Sequence, residues 1–98
     1  MTASIEIKKD FFVIVGELNF TSVPDLWKKS LPLLAKSPQL NFDLTGVTTS
    51  NSAGIALLLE WVKYAKQHHK AIRFNNIPKQ LYSIIAVSGI NKLLGLNS

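Results

Sequence analysis

The sequence lacks cysteine, which excludes disulfides, thiolate metal sites and thiol catalysis. It also lacks long apolar runs: uninterrupted stretches such as Ile55–Leu59 are far shorter than the ~20 residues that a membrane-spanning helix requires. The opening MTASIEIKKD is polar and alternating, without the apolar segment of a secretory signal. These absences predict a cytoplasmic protein.

Groups that support catalysis are also scarce. The six carboxylates are scattered, and none has a partner at the spacing of a metal site or an acid–base pair. His68 and His69 are adjacent, so on a helix they diverge by about 100° and do not share a metal. No glycine-rich phosphate loop is present. We therefore expect no enzymatic activity, no cofactor and no metal site.

The positive charge does not form a nucleic-acid site. The net charge is +5, but ten of the eleven cations are lysines and only Arg73 carries a guanidinium fork. No block of five or more cations occurs, so we expect no nucleic-acid binding. Lys63, Lys66 and Lys70 form a stripe on one flank of a predicted helix. We interpret this stripe as solvated, and contact with an acidic partner or with lipid headgroups is the alternative.

The order of patterns predicts one α/β domain over residues 1–98. Apolar residues make up 47% and charged residues 17% of the chain, which is typical of a globular protein. Period-2 and short apolar runs predict four strands, and 3.6-residue periodicity predicts three helices, in the order ββαβαβα. Such an order implies a mixed sheet of about four strands with helices packed on it, the first strand lying at an edge. The predicted strands are 5–7, 11–15, 40–44 and 71–74, with Lys9-Asp10 as a hairpin turn.

Helix boundaries follow from capping and proline signals. Ser22 and Asp25 have the spacing of a capping box at the start of the first helix, and Pro32 is expected to kink or split that helix. The central helix is predicted from about Ser52 to His69. Asn76 is the predicted cap of the third helix, and Gly89 is its predicted stop.

The central helix carries two apolar stripes. Ile55, Leu58, Leu59 and Val62 fall within about 100° of one another and are predicted to face the core. Leu57, Trp61 and Tyr64 recur at i, i+4 and i+7 on roughly the opposite side. An exposed row of this kind marks a partner site, which is our expectation. The alternative is that the first helix or the C-terminal tail covers the row.

The segment TTSNSAG, residues 48–54, precedes this helix. Ser50, Asn51 and Ser52 all belong to the residue types that cap helices, and Gly54 permits close backbone approach. One helix end needs only one cap. A serine at a helix N-terminus also lies at the positive end of the helix dipole, where a phosphate is electrostatically favoured.

The run NFDLTGVTTSNSAGIALLLEWVKYAKQHH resembles the signature region of STAS domains. There, a strand ending in Asp-Leu-Thr/Ser leads through a D-S/T-x-G junction into a helix. Asp43-Leu44-Thr45, Gly16-Glu17-Leu18 and Gly54 match, whereas Asn51 replaces the acid before Ser52. The resemblance covers essentially the whole chain and implies the STAS fold.

Within the family, the likeness is greatest to MlaB-like proteins, the small cytoplasmic STAS subunits of Mla phospholipid-transport ABC complexes in Gram-negative bacteria. Gly16-Glu17-Leu18, Pro24–Trp27, Ala56–Leu59 and Tyr64-Ala65-Lys66 carry it. The resemblance implies a non-enzymatic subunit that binds the ABC transporter ATPase (MlaF-like), and through it the permease, and so supports outer-membrane lipid asymmetry. Contact with the inner membrane is then only indirect. The implied partner-binding residues lie at the junction and on the helix: Asn51, Ser52, Ala53, Gly54, Leu57, Trp61 and Tyr64.

The alternative within the family is a regulator of the anti-sigma-factor-antagonist kind. In those proteins the residue at the position of Ser52 is a phosphorylation switch, and Ser52 is accordingly a possible phosphorylation site.

Overall fold

The computed structural model describes residues 3–95 and contains seven elements in the predicted order. They are β1 Ala3–Lys8, β2 Phe11–Leu18, α1 Val23–Ala35, β3 Gln39–Ser50, α2 Ser52–Gln67, β4 Ala71–Asn75 and α3 Lys79–Ser88. The prediction of a ββαβαβα domain is confirmed.

The four strands form one mixed sheet in the order β1-β2-β3-β4. β1 and β2 are antiparallel, because the two-residue turn Lys9-Asp10 reverses the chain. β2, β3 and β4 are parallel to one another, because a helix lies in each connection between them. β1 lies at an edge of the sheet, as predicted.

The two faces of the sheet differ in composition. One face carries buried side chains such as Ile14, Phe42 and Phe74, which form a single core with the apolar residues of all three helices. The side chains between them along the strands point the other way. Phe11 and Val15 lie on this second face and are each 40% exposed. All three helices therefore lie on one side, and we call the uncovered side the open face.

Phe42 is the centre of the aromatic core. Its ring stacks on Trp61 with a centroid distance of 4.1 Å, and Phe12 and Phe74 lie 5.3 and 5.5 Å away. All four aromatic residues are buried. The middle of β3 is thus joined to both neighbouring strands and to α2.

The expectation of an outward row on α2 is wrong for Leu57 and Trp61, which are 1% and 0% exposed. Trp61 Nε1 donates a hydrogen bond to Ser30 Oγ of α1 at 3.0 Å, and Ser30 Oγ donates to the Trp27 carbonyl at 2.7 Å. Tyr64 is half-buried. Trp61 faces the sheet, where its ring stacks on Phe42, and α1 closes its other side. The alternative interpretation, that the first helix covers the row, therefore holds only in part. α2 contacts α1, α3 and the sheet, so it needs apolar residues on more than one side.

Three local predictions about α1 and α2 also change. Ser22 precedes α1, but its hydroxyl makes no capping bond and instead donates to the Glu17 carbonyl at 2.6 Å. Pro32 does not split α1, which is continuous from Val23 to Ala35. Lys70 does not extend a free lysine stripe, because its Nζ donates to the carbonyls of Leu34 and Ala35 at 2.6 and 3.3 Å. The ammonium group thereby satisfies carbonyls at the end of α1.

The third helix begins later than predicted. Pro78 is its N-terminal flanking residue, and Asn76 is instead a left-handed residue with φ of 58°. Asn76 Nδ2 donates to Asp43 Oδ1 at 3.2 Å. Gly89, with φ of 70°, ends α3 as predicted.

Asp43 ties the middle of β3 to the residue that follows β4. Its Oδ1 accepts hydrogen bonds from the Thr45 hydroxyl at 2.6 Å, the Thr45 backbone N–H at 2.9 Å and Asn76 Nδ2. These bonds, first of all the one from the Thr45 side chain, lower the pKa of Asp43.

We predict that Ser30→Ala lowers the free energy of unfolding by about 1–3 kcal/mol, because it leaves the buried Trp61 N–H without an acceptor. Chemical denaturation measures the change. The control is Ser83→Ala, which removes an exposed serine bonded only to its own helix and should cost less than about 0.5 kcal/mol. In a double-mutant cycle with Trp61→Phe, strictly additive losses would show that the two side chains are not coupled.

We predict that Asp43→Asn reduces the acid sensitivity of the fold. A carboxyl whose pKa is lowered by folding stabilises the protein above its unfolded pKa, and this contribution is lost as the pH falls through the folded pKa. The stability difference between wild type and Asp43→Asn should therefore be present at pH 6 and shrink steadily below about pH 4. Urea denaturation from pH 6 to pH 2.5 measures it, and Asp10→Asn controls for the loss of one negative charge. A difference that does not depend on pH would contradict the assignment.

Candidate functional site

β3 is longer than its neighbour and bends towards the junction with α2. Along the β2–β3 pairing, Val13 is opposite Asp43 but Val15 is opposite Gly46, and Gly16 is opposite Val47 but Glu17 is opposite Thr49. β3 thus has one extra residue at each of two places. Such irregularities increase twist and re-aim the strand.

The carboxyl ends of β2 and β3 meet at one corner of the domain. Leu18 pairs with Ser50, and the Asn51 backbone N–H donates to the Leu18 carbonyl at 3.1 Å. The β2–α1 loop and the first turn of α2 leave the sheet side by side from this point. Binding sites of open α/β sheets favour this edge.

Asn51 is the cap of α2. Its Oδ1 accepts a hydrogen bond from the Ala53 backbone N–H at 2.8 Å. Ser50 is buried and its hydroxyl donates to the Asn51 carbonyl at 3.0 Å, whereas Ser52 is the first residue of the helix. Asn51 and Ser52 are both exposed, so both are available to a partner.

Ala53 and Gly54 are buried and contact the protein interior rather than solvent. A Cβ added to Gly54 would overlap with Ser50 Oγ and lie 3.3 Å from two atoms of the Leu18 side chain. The close approach that Gly54 permits is therefore between α2 and the strand ends. Leu57 and Trp61 are also buried. Four of the predicted partner-binding residues, Ala53, Gly54, Leu57 and Trp61, therefore pack inside the domain and are not on its surface.

The structure adds Phe20, which the sequence reasoning missed. Phe20 lies in the β2–α1 loop, two residues after Leu18, and is 72% exposed. Asn19 Oδ1 accepts hydrogen bonds from the backbone N–H groups of Thr21 and Ser22, both at 2.9 Å. These bonds fix the loop. The sequence signal that could have indicated this residue is a phenylalanine among polar loop residues, in NFTS.

A groove between α1 and α2 also starts near this corner. Two cavities of about 170 Å³ each follow one another along it, and Trp27 and Glu60 line both. Near the corner the first cavity is lined by Val23, Pro24 and Ala56, and further along Lys63 and Tyr64 line the second. We call this feature the α1–α2 groove. Two members of the predicted row reach the groove: Leu57, although almost fully buried, lines the first cavity, and Tyr64, stacked on His68 at 4.1 Å, lines the second.

Metal-ligand clusters and membrane-spanning helices are both absent from the described part of the chain. Within residues 3–95, no three histidine or carboxylate side chains lie close enough to hold a metal ion. No helix in the same range is long and apolar enough to cross a membrane. The corner is thus a surface of exposed side chains and a helix N-terminus.

We predict that Gly54→Ala destabilises the fold by about 1–3 kcal/mol, although alanine normally favours a helix over glycine. The double variant Ser50→Ala/Gly54→Ala should recover part of the loss, because it removes the overlapping hydroxyl. Thermal or urea denaturation of both variants, with Ser50→Ala alone as the control, measures this. A Gly54→Ala variant as stable as wild type would contradict the packing described.

The comparisons with known proteins agree with this architecture. An anti-sigma-B factor antagonist of Bacillus subtilis (strain 168) is 22% identical over 85 residues, which are 87% of this chain and 78% of the relative. The anti-sigma factor antagonist SpoIIAA in its unphosphorylated form superposes with a TM-score of 0.69 at 15% identity, covering 98% of this chain and 99% of that one. The murine Slc26a9 anion transporter in the inward-facing state gives a TM-score of 0.66 at 18% identity, with 89% of this chain matching 15% of that chain.

At these identities, the two solved structures show a shared fold and no more. The family is shown by a model described as "Mlab, STAS domain", which matches residues 3–95. The chain therefore belongs to the STAS domain family.

Proposed function

We propose that this protein is a non-enzymatic interaction module that binds a partner protein through the corner where α2 begins. The observation that carries the proposal is the exposure of Asn51, Ser52 and Phe20 on two segments that leave the sheet from the paired strand ends Leu18 and Ser50. STAS domains are regulatory or interaction modules.

The corner has the properties of a protein-binding surface. Exposed aromatic side chains are favoured anchors, and Phe20 is held by a hydrogen-bonded loop, so little conformational entropy is lost when it is buried. The α1–α2 groove adds the half-buried ring of Trp27 next to the corner. Ser52 is small and allows the partner to approach the first turn of α2 closely.

An anti-sigma factor is the partner class that we favour. The Bacillus subtilis relative is an anti-sigma-B factor antagonist. Ser52 is exposed, and the resemblance of the junction to STAS signatures implies that it corresponds to the phosphorylation switch of such proteins. A phosphate there would add a charge of about −1.5 to −2 to the docking surface, next to the positive end of α2. The helix end would tolerate the phosphate, while the docked partner would have to accommodate its charge and bulk. Phosphorylation of Ser52 would thus control binding without unfolding the domain.

A second candidate partner is the ATPase subunit of an Mla-type phospholipid ABC transporter. The matching family model, which is described as "Mlab, STAS domain", and the sequence resemblance favour it. Such a partner would use the same corner, with Ser52 as a contact rather than a switch. The protein would then be cytoplasmic and peripheral to the inner membrane, reaching the permease only through the ATPase.

We predict that Ser52→Glu and Phe20→Ala each weaken partner binding at least tenfold, because one places a charge in the interface and the other removes its anchor. Calorimetry with the purified anti-sigma factor or ATPase from the same organism measures affinity. Ser88→Glu and Val87→Ala are matched controls on α3, where Ser88 is exposed and Val87 is 90% exposed. Wild-type affinity of both corner variants for the partner that the wild type binds would refute the site.

The two partner classes are separated by a second measurement on the same proteins. Incubation with a cognate serine kinase from the same organism and ATP should add one phosphate to the wild type and none to Ser52→Ala, as read by intact mass. Binding of the ATPase without any gain of phosphate would instead support the transporter assignment.

A further inference from the structure

The open face of the sheet has an apolar centre. Phe11, Val13 and Val15 follow one another along β2, an inner strand, with Phe11 and Val15 each 40% exposed and Val13 half-buried. Gly46 of β3 lies against the Val15 side chain. Two large side chains on an inner strand are thus exposed to solvent over much of their surface.

Four of the charges on this face form two adjacent rows that cross the strands. The first row contains the pairs Lys8–Phe11 and Asn41–Arg73 and has two positive charges and no negative one. We call it the positive row. The adjacent row runs Glu6–Val13–Asp43–Asn75 and has two negative charges and no positive one. We call it the negative row.

This pattern is complementary to itself in one orientation. Consider a two-fold axis that lies in the plane of the face, between the two rows and perpendicular to the strands. It lays the positive row of one copy over the negative row of the other. Lys8 then faces Glu6 of the second copy, and Phe11 faces Val13. A two-fold axis along the strands would instead place Lys8 against the second copy's Arg73, which is repulsive.

We propose that the open face binds a second copy of this chain, face to face, with the strands of the two copies antiparallel. Charge complementarity specifies the arrangement, and burial of Phe11, Val13 and Val15 stabilises it. Two sheets that pack in this way bury their facing side chains in one layer.

The size of the face predicts a weak, reversible dimer. Four strands spaced ~4.8 Å apart and about six residues long cover roughly 400 Å² per copy, about half of what a typical stable interface buries on each partner. We therefore expect a dissociation constant of about 0.1–1 mM. Because α2 lies on the other side of the sheet, Ser52 and Phe20 remain accessible in the dimer, which would present two docking corners.

Charge reversal tests the proposal directly. Lys8→Glu makes positions 6 and 8 both negative, and Glu6→Lys makes them both positive, so each variant alone should dimerise at least fivefold more weakly than wild type in sedimentation equilibrium. An equimolar mixture of the two should recover association, because opposite charges then face each other. The double variant Glu6→Lys/Lys8→Glu should also recover it.

The control is Lys66→Glu, which makes the same change in net charge as Lys8→Glu at an exposed position of α2 and should dimerise like the wild type. Circular dichroism checks that each variant is folded, since Lys8 and Glu6 also lie 3.9 Å apart within one chain. Three outcomes would overturn the proposal: a wild-type protein that stays monomeric at 1 mM, a Lys8→Glu variant that associates like Lys66→Glu, and a mixture that does not recover association.

Discussion

The contact of Trp61 with Phe42 and Ser30 is the constraint on which the domain depends. The indole is fully buried between β3 and α1, so its N–H needs an acceptor inside the protein. Ser30 provides that acceptor only when α1 has one rotation about its own axis and one distance from α2. Apolar packing alone tolerates small slips of one helix over another, whereas this hydrogen bond does not. The position of α1 is thereby fixed, and with it the walls of the α1–α2 groove and the loop that carries Phe20.

The corner depends on a second constraint, the length of β3. Its two extra residues relative to β2 let the strand turn while Leu18 and Ser50 still end as a pair. α2 must then begin directly against β2, and only a residue without a side chain fits at position 54 beside Ser50 and Leu18. Asn51 caps the helix at this point, which leaves Ser52 outside. The exposure of Ser52 is thus a consequence of burying its neighbours.

The sequence predicted the strands and helices well, and the contacts and burial of their side chains less well. The order of strands and helices, the hairpin at Lys9-Asp10 and the stop at Gly89 follow from periodicity and turn chemistry, which are local. Whether Trp61 faces solvent depends on where β3 and α1 lie relative to α2, which periodicity within α2 does not contain. Lys70 and Asn76 were misassigned for the same reason: both side chains bond to residues more than 30 positions away. At the site, Asn51 and Ser52 were predicted on the surface and lie there, whereas Phe20 becomes significant only because Leu18 and Ser50 end side by side.

The separation of the two exposed surfaces follows from the one-sided layering of the fold. Because all three helices lie on one face of the sheet, the N-terminus of α2, Phe20 and the α1–α2 groove lie on that side or at its rim. Phe11, Val13 and Val15 lie on the other side. A partner at the corner and a partner on the open face would touch different residues and would not compete for space. The two surfaces would still be connected physically, because β2 contributes to both. Phe11, Val13 and Val15 lie on the open face, and the carbonyl of Leu18 at the end of the same strand accepts a hydrogen bond from Asn51. Coupling between the two surfaces would have direct routes through the carboxyl-terminal halves of both β2 and β3, where the pairing of the two strands is irregular.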